Sequence, residues 1–312
     1  MSLLKVSYDS LIHEFDVFLE FSWRDWSASI IAGSIFSIGA ARTLPRSRRI
    51  FQSYLFLILW LTPYLYWLDL SNQITGIEED RINKPDRPIP SQKVTIVGAK
   101  VRWALALTVF LSVAVYEPTL RPETMCWALT VALLCGTPLG KHWFFKNCIA
   151  MATGAWALLR GSWKAIAPLT PRADHFVLTV SLWTGLLASI QDLRDIKGDA
   201  ATGRKTLPLV LGSSRCRWIM SFFLIPASLL VLWEGEILSI APVSLTAVHA
   251  FLGYRVMQDR GYYYDHKTYM IFTYIFCLIL ASTALEGLDL SENVAIIVDH
   301  VKRWSWVTTR VL

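Results

Sequence analysis

The sequence predicts an all-α integral membrane protein with nine transmembrane helices, and three observations lead there. The 312 residues are 54% hydrophobic and only 17% charged, whereas soluble domains carry about a quarter charged residues. The mean hydropathy is +0.42, more apolar surface than an ordinary water-soluble core absorbs. The apolar residues also gather into runs that, with their flanks, approach the ~20 residues of a bilayer-crossing helix. The net charge of +6 is spread along the chain. With no basic stripe, the expected partner is the lipid bilayer and not nucleic acid.

Residues 1–25 carry Lys5, Asp9, Glu14, Asp16, Glu20, Arg24 and Asp25. That density of charge is unlike a cleavable leader and reads as an amphipathic lead-in on the membrane surface. Residues 26–287 form the expected membrane domain, with apolar segments at 26–41, 51–71, 99–116, 124–139, 144–163, 174–191, 217–233, 237–257 and 268–286. Several are short, so their helices must continue into polar flanks. Residues 288–312 mix apolar stretches with Asp299, His300, Lys302 and Arg303. Trp304 and Trp306 suit an interfacial C-terminal tail.

If all nine segments cross, 19 Lys and Arg lie on the face of the N-terminus and 11 on the other. The excess marks the N-terminal face as cytoplasmic, although Arg42, Arg46, Arg48 and Arg49 fall opposite. The five cysteines form no CxxC or Cys/His metal spacing and read as small apolar residues.

Two acidic segments interrupt this apolar pattern. The first runs Asn72-Gln-Ile-Thr-Gly-Ile-Glu-Glu-Asp80 and continues through Asn83-Lys-Pro-Asp-Arg-Pro-Ile-Pro90. On a helix, Asn72, Gly76, Glu79 and Asp80 share one face. Asn72, Asp80 and Glu79 offer oxygen ligands for a hard cation. Lys84 and Arg87 are placed to contact phosphate oxygens, and Pro85, Pro88 and Pro90 end the helix. A solvated turn beside the membrane is the alternative; Asn72, an amide adjoining a buried run, argues for a partner.

The second segment is Gln191-Asp-Leu-Arg-Asp-Ile-Lys-Gly-Asp199. Asp192, Asp195 and Asp199 fall on one helical face and repel one another. A divalent cation relieves that repulsion; so can Arg194 and Lys197, which is the structural alternative. A basic turn, Gly203-Arg204-Lys205, follows. Mg²⁺ commonly binds a few carboxylates plus phosphate oxygens. An apolar pocket beside such a site suits a prenyl diphosphate whose C–O bond ionises to an allylic cation. Aromatic faces stabilise such a cation, and Trp60, Tyr64, Trp67 and Trp183 lie near the two segments.

At these residues the chain resembles the UbiA superfamily of intramembrane prenyltransferases. Asn72 to Pro90 is similar to its NxxxDxxxD motif with the trailing N-K-P-x-R-P-I-P. Asp192 to Asp199, followed by Gly203-Arg-Lys-Thr-Leu-Pro208 and Leu211-Gly212, is similar to its second motif. The resemblance implies a helical barrel around a central cavity, Mg²⁺ as cofactor and a prenyl diphosphate substrate. It assigns metal contacts to Asn72, Asp80, Asp192, Asp195 and Asp199, with Asp80, Asp192 and Asp195 as the catalytic carboxylates. Diphosphate contacts fall to Lys84, Arg87, Lys141, Arg204 and Lys205.

Two departures matter. Gly76 stands where the first motif has an Asp, and Glu79 or Glu78 is the expected substitute. A YxxxK feature is replaced by Cys135-Gly-Thr-Pro-Leu-Gly-Lys141, leaving Lys141, with Lys146 as a weaker candidate. The first motif looks closer to fungal membrane-bound terpene cyclases of the bergamotene-forming type. The expected reaction is therefore Mg²⁺-dependent cyclisation of farnesyl diphosphate to a sesquiterpene, at an endoplasmic-reticulum site facing the cytosol. Prenyl transfer to an aromatic or polyketide acceptor is the first alternative, and a membrane transporter the second.

Overall fold

A computed structural model describes residues 3–45 and 48–285. Helix α1 (Leu3–Ser22) occupies the expected lead-in, and a 3₁₀ stretch, Trp23–Ala28, joins it to α2 (Ile30–Arg42). The chain continues through α3 (Arg48–Thr75), α4 (Ile77–Asn83), α5 (Ile96–Tyr116) and α6 (Arg121–Gly136). A π-helical stretch, Phe144–Ala150, runs directly into α7 (Met151–Lys164). Helix α8 (Pro171–Leu187) passes through a 3₁₀ turn into α9 (Asp192–Ala201). The short α10 (Leu207–Leu211) leads to α11 (Ser213–Ile219), which joins α12 (Ile225–Glu234) through a second π stretch. Helices α13 (Pro242–Met257) and α14 (Tyr262–Leu285) complete the described chain. The expected tail at 288–312, with Trp304 and Trp306, lies outside the described residues.

Local sequence explains where helices begin. Thr95 caps α5 by accepting the Gly98 N–H at 3.1 Å. Thr170 does the same for Ala173, also at 3.1 Å. Pro171 follows as the first residue of α8, where its missing N–H costs nothing.

Among the described residues, five rods are long and apolar enough to cross a membrane: Arg49–Thr75, Ile96–Tyr116, Pro171–Ala201, Ser213–Glu234 and Tyr262–Ala284. Helix α2, at the expected first crossing, has only 13 residues. At 1.5 Å per residue that is about 20 Å, against a hydrocarbon core of about 30 Å.

The helices close into a ring. Helix α2 packs on α3, α3 on α6, α6 on α7, α7 on α8, α8 on α12, α12 on α13, α13 on α14, and α14 back on α2. Helix α5 lies against α3 and α6. Its residues Val97, Val101, Leu105 and Val109, spaced four apart, are exposed. Such an outward apolar stripe is stable only where the surroundings are apolar too, so the chain is an integral membrane protein. The ring encloses aromatic packing: Tyr64 stacks on Trp127 with centroids 4.9 Å apart. Trp60 donates from Nε1 to Thr124 at 2.9 Å.

Candidate active site

A cavity of about 230 Å³ opens at one end of the ring. One part of it is apolar, walled by Tyr64, Leu65, Leu68, Trp127, Leu158 and Phe276, among others. Its mouth is ionic, lined by Asn72, Glu79, Lys84, Arg87, Lys146, Arg194, Asp195 and Arg204. Both acidic segments therefore reach one space, as their matching positions at rod ends predict. An ionic mouth on an apolar chamber suits an amphiphile with an anionic head.

The first segment is not one helix. The rod stops at Thr75, Gly76 caps the next helix, and Glu79 and Asp80 sit on α4. The stacking of Glu79 above Asn72 expected from a continuous helix is thus replaced by a break. A Cβ at Gly76 would lie 2.8 Å from the Asn72 carbonyl oxygen. Gly76 is therefore a tight backbone crossing as well as a missing carboxylate. Asp80 is buried and takes both its oxygens to Arg87 Nη1, each at 2.8 Å. Glu79 lines the mouth, 2.6 Å from Arg204 Nη2.

The second segment lies on α9, with Asp192, Asp195 and Asp199 all buried. Asp192 accepts from Lys146 at 2.7 Å and from Asn147 at 2.6 Å. Asp195 Oδ2 accepts from Lys84 at 3.3 Å and from Arg194 at 3.4 Å. Its Oδ1 has no partner. Asp199 lies 3.7 Å from Arg204 Nε, within ion-pair range. Neither of its oxygens receives a hydrogen bond.

Asn83 fastens the two segments together. Its Nδ2 donates to the Asp195 carbonyl at 3.1 Å, and its Oδ1 accepts the Gly198 N–H at 3.0 Å. A Cβ at Gly198 would overlap the Asn83 amide, so glycine is what allows α4 to approach α9 so closely.

The expected cations divide. Lys84, Arg87 and Arg204 line the mouth, whereas Lys141 and Lys205 are exposed and do not. The backbones of Lys141 and Lys205 pair with each other, the Lys205 N–H donating to the Lys141 carbonyl at 2.7 Å. Lys146 takes the position expected of Lys141. It lies on the π stretch, whose wider turn places Lys146 and Asn147 together against Asp192. Burial pulls the Lys84 ammonium below its ordinary pKa, with Asp195 opposing that shift. Burial also works against the Arg87 charge, but Asp80 and Asp25 outweigh it and hold the guanidinium above its ordinary value.

Of the expected aromatic residues, Tyr64 lines the cavity, while Trp60, Trp67 and Trp183 are packed in the ring. Trp127, Tyr269, Phe272 and Phe276 line it instead. Arg194 lies over the Tyr269 ring at 4.2 Å. Nothing in the local sequence around these rings marks them as cavity residues. Asn83 did carry a signal, the Asn-Lys-Pro run within the first motif.

Among the described residues, no three His, Cys, Asp or Glu side chains stand close enough to hold a metal ion by themselves. The donors at the mouth nonetheless suit a hard cation whose remaining ligands come from phosphate. Asp195 Oδ1 is buried and unbonded, as are both oxygens of Asp199, which lies on the same face of α9 but does not itself line the cavity, and Asn72 and Glu79 add further oxygens at the mouth. Carboxylates plus phosphate oxygens are the ordinary shell of Mg²⁺.

Fold and site together define an intramembrane helical ring with an ionic mouth leading to an apolar chamber. The profile of the UbiA prenyltransferase family matches residues 29–280, and the chain belongs to this family. It is 59% identical over 283 residues to the diterpene cyclase eriG of Hericium erinaceus, covering 91% of this chain and 92% of that protein. It is 55% identical over 282 residues to the polyprenyl transferase eriF of the same organism, covering 90% and 98%. The fold is also that of a UbiA homolog from Archaeoglobus fulgidus, solved bound to GPP and Mg²⁺. That match has a TM-score of 0.61 at 12% identity and covers 86% of this chain and 99% of the other.

Proposed function

We propose that this protein is a Mg²⁺-dependent terpene cyclase that ionises a twenty-carbon prenyl diphosphate and closes it to a cyclic diterpene. The observation that carries the reading is the cavity itself, with cations and an unbonded Asp195 oxygen at its mouth and an apolar chamber walled by aromatic rings. The twenty-carbon class rests on the 59% identity to a diterpene cyclase. It replaces the fifteen-carbon substrate expected from the first motif.

Asp195 and Asp199, with Asn72 and Glu79, hold the metal in this reading. Bound Mg²⁺ supplies charge neutralisation that makes diphosphate a better leaving group. Lys84, Arg87, Lys146 and Arg204 grip the diphosphate oxygens. Asp80 and Asp192 position Arg87 and Lys146, because both oxygens of each are already held by the chain's own donors. Tyr64, Trp127 and Phe272 present ring faces to the cationic chain and exclude water from it. Nine membrane crossings, with the mouth facing the cytosol of the endoplasmic reticulum, complete the proposal. The excess of Lys and Arg on that side supports the orientation.

The relationship to a polyprenyl transferase, at 55% identity, favours a second reading. The same ionisation then delivers the prenyl cation to a separate acceptor. Membranes containing the protein, incubated with geranylgeranyl diphosphate and Mg²⁺ but no acceptor, separate the two. A cyclic hydrocarbon is the expected product. Consumption that requires an added aromatic acceptor would establish transfer instead.

A further inference from the structure

One carboxylate in the cavity has no place in the machinery above. Asp69 lines the cavity from α3, one turn before Asn72 and beside Leu65 and Leu68. It is 97% buried by its 3% residual exposure. Its Oδ2 accepts no hydrogen bond. Of the other three carboxylates that line the cavity, Glu79 has Arg204 and Asp195 has Lys84, while Asp25 neighbours Asp69 itself. Asp69 shares a side-chain hydrogen bond with Asp25, so the two carboxyls hold a proton between them, and the cation that acts on Asp69, Arg87, has its ion pair with Asp80.

Asp25 lies on the 3₁₀ stretch before α2 and lines the same cavity. The opposing wall, Tyr269, Phe272, Thr273 and Phe276 of α14, offers Asp69 no further charge. Asp69 thus stands where the ionic mouth gives way to the apolar chamber. A buried carboxylate without a cation is costly. One that faces a cavity occupied by a carbocation gains a counter-charge of its own during each turnover.

Building on the cyclase reading, we infer that the Asp69–Asp25 pair, which holds one proton between its two carboxyls, is the base that takes the proton ending the cyclisation, with Asp69 the member that receives it. The electron balance is simple. The C–O bond breaks with its electron pair leaving on diphosphate, and the chain's π electrons form the ring bonds. The last cation then loses a proton from the neighbouring carbon. The C–H pair becomes the final C=C bond, and the proton goes to Asp69. Asp25, which is only partly buried, offers that proton a way out to solvent before the next turnover.

The test uses membranes carrying the full chain, geranylgeranyl diphosphate and Mg²⁺, with diphosphate release and extracted terpenes measured together. In Asp69→Asn, the wild-type hydrocarbon formed per diphosphate released should fall at least tenfold, with alcohols or other olefins replacing it. An unchanged ratio would overturn the inference, whether total turnover holds or falls. That is the result expected if the departing diphosphate is the base. If Asp69→Asn does not accumulate in the membrane, Asp69→Glu decides, because it keeps the carboxylate but moves it by one methylene. New double-bond isomers support the inference, and the wild-type hydrocarbon alone overturns it. A wild-type protein that forms no hydrocarbon without an acceptor defeats the cyclase reading itself, a different result from any change in the variant's ratio.

Discussion

The first acidic segment leaves its rod at Gly76 and continues as α4 and a proline-rich loop, whereas the second stays on its rod, which runs from Pro171 to Ala201 through one 3₁₀ turn at Ala188–Gln191. The difference divides the chemistry between them. The loop lets Lys84 and Arg87 fold back over the cavity, and Arg87 holds the first segment's own Asp80. Helix α9 keeps three carboxylates on one face, leaving oxygens of Asp195 and Asp199 unbonded. In the proposed reading the broken element gives Lys84 and Arg87 to the diphosphate grip and Asn72 and Glu79 to the metal, while α9 gives the metal Asp195 and Asp199. Long cationic side chains tolerate an irregular backbone, while oxygen donors for an octahedral ion need fixed positions.

The sharpest way to break this division is Arg87→Ala, which strands Asp80 as a buried unpaired carboxylate. The expected loss is about 3–5 kcal/mol of stability, read as a lower melting temperature of the detergent-solubilised protein. An unshifted melting temperature would mean that Asp80 finds another partner. Asp195→Ala removes an open oxygen from the rigid side and leaves Lys84 without its counter-ion. Turnover should drop about 100-fold, the upper range for loss of a supporting metal contact. A smaller drop than that of Glu79→Gln would reverse the proposed roles of the two segments.

Gly76→Asp restores the motif's missing carboxylate and asks whether the break or the absent ligand matters more. With its Cβ 2.8 Å from the Asn72 carbonyl oxygen, the variant should lose about 1–3 kcal/mol to overpacking. Tighter Mg²⁺ dependence with no loss of melting temperature would contradict that. Glu79→Gln should raise the Mg²⁺ concentration for half-maximal activity about tenfold; wild-type Mg²⁺ dependence would remove Glu79 from the metal set.

The smallest effect concerns pH. Burial sets the Lys84 pKa below that of an ordinary lysine, so the diphosphate affinity it supports is present at lower pH and lost as pH rises through that value. Lys84→Arg stays charged and should flatten the alkaline rise in KM. Parallel profiles for variant and wild type would show that Lys84 does not carry the grip.

Much of this site is legible in the sequence because its signals are local. Asn72, Glu79, Lys84, Arg87, Asp195 and Arg204 are marked by polarity or charge at the ends of apolar runs, and all six meet in one cavity. Lys141 was a reasonable expectation from spacing, but it is displaced by Lys146, because the π stretch turns Lys146 inward. Asn147, with its bond to Asp192 across 45 residues, carries no local mark. Neither does Asp69, which reads in the sequence as one more polar residue near a helix end.

The sequence by itself determined the helical membrane class and the placement of two charged motifs at rod ends. Hydropathy and helical period are properties of neighbouring residues, and they survive without knowledge of the fold. Only the tertiary structure decided which cation meets which carboxylate. Lys84 reaches Asp195 across 111 residues, and the Asn83 clasp on α9 spans 112 and 115. It also decided that Asp25 and Asp69 face the same chamber. Those pairings depend on how the helices close their ring, and the energy of a buried charge depends on the partner that ring brings to it.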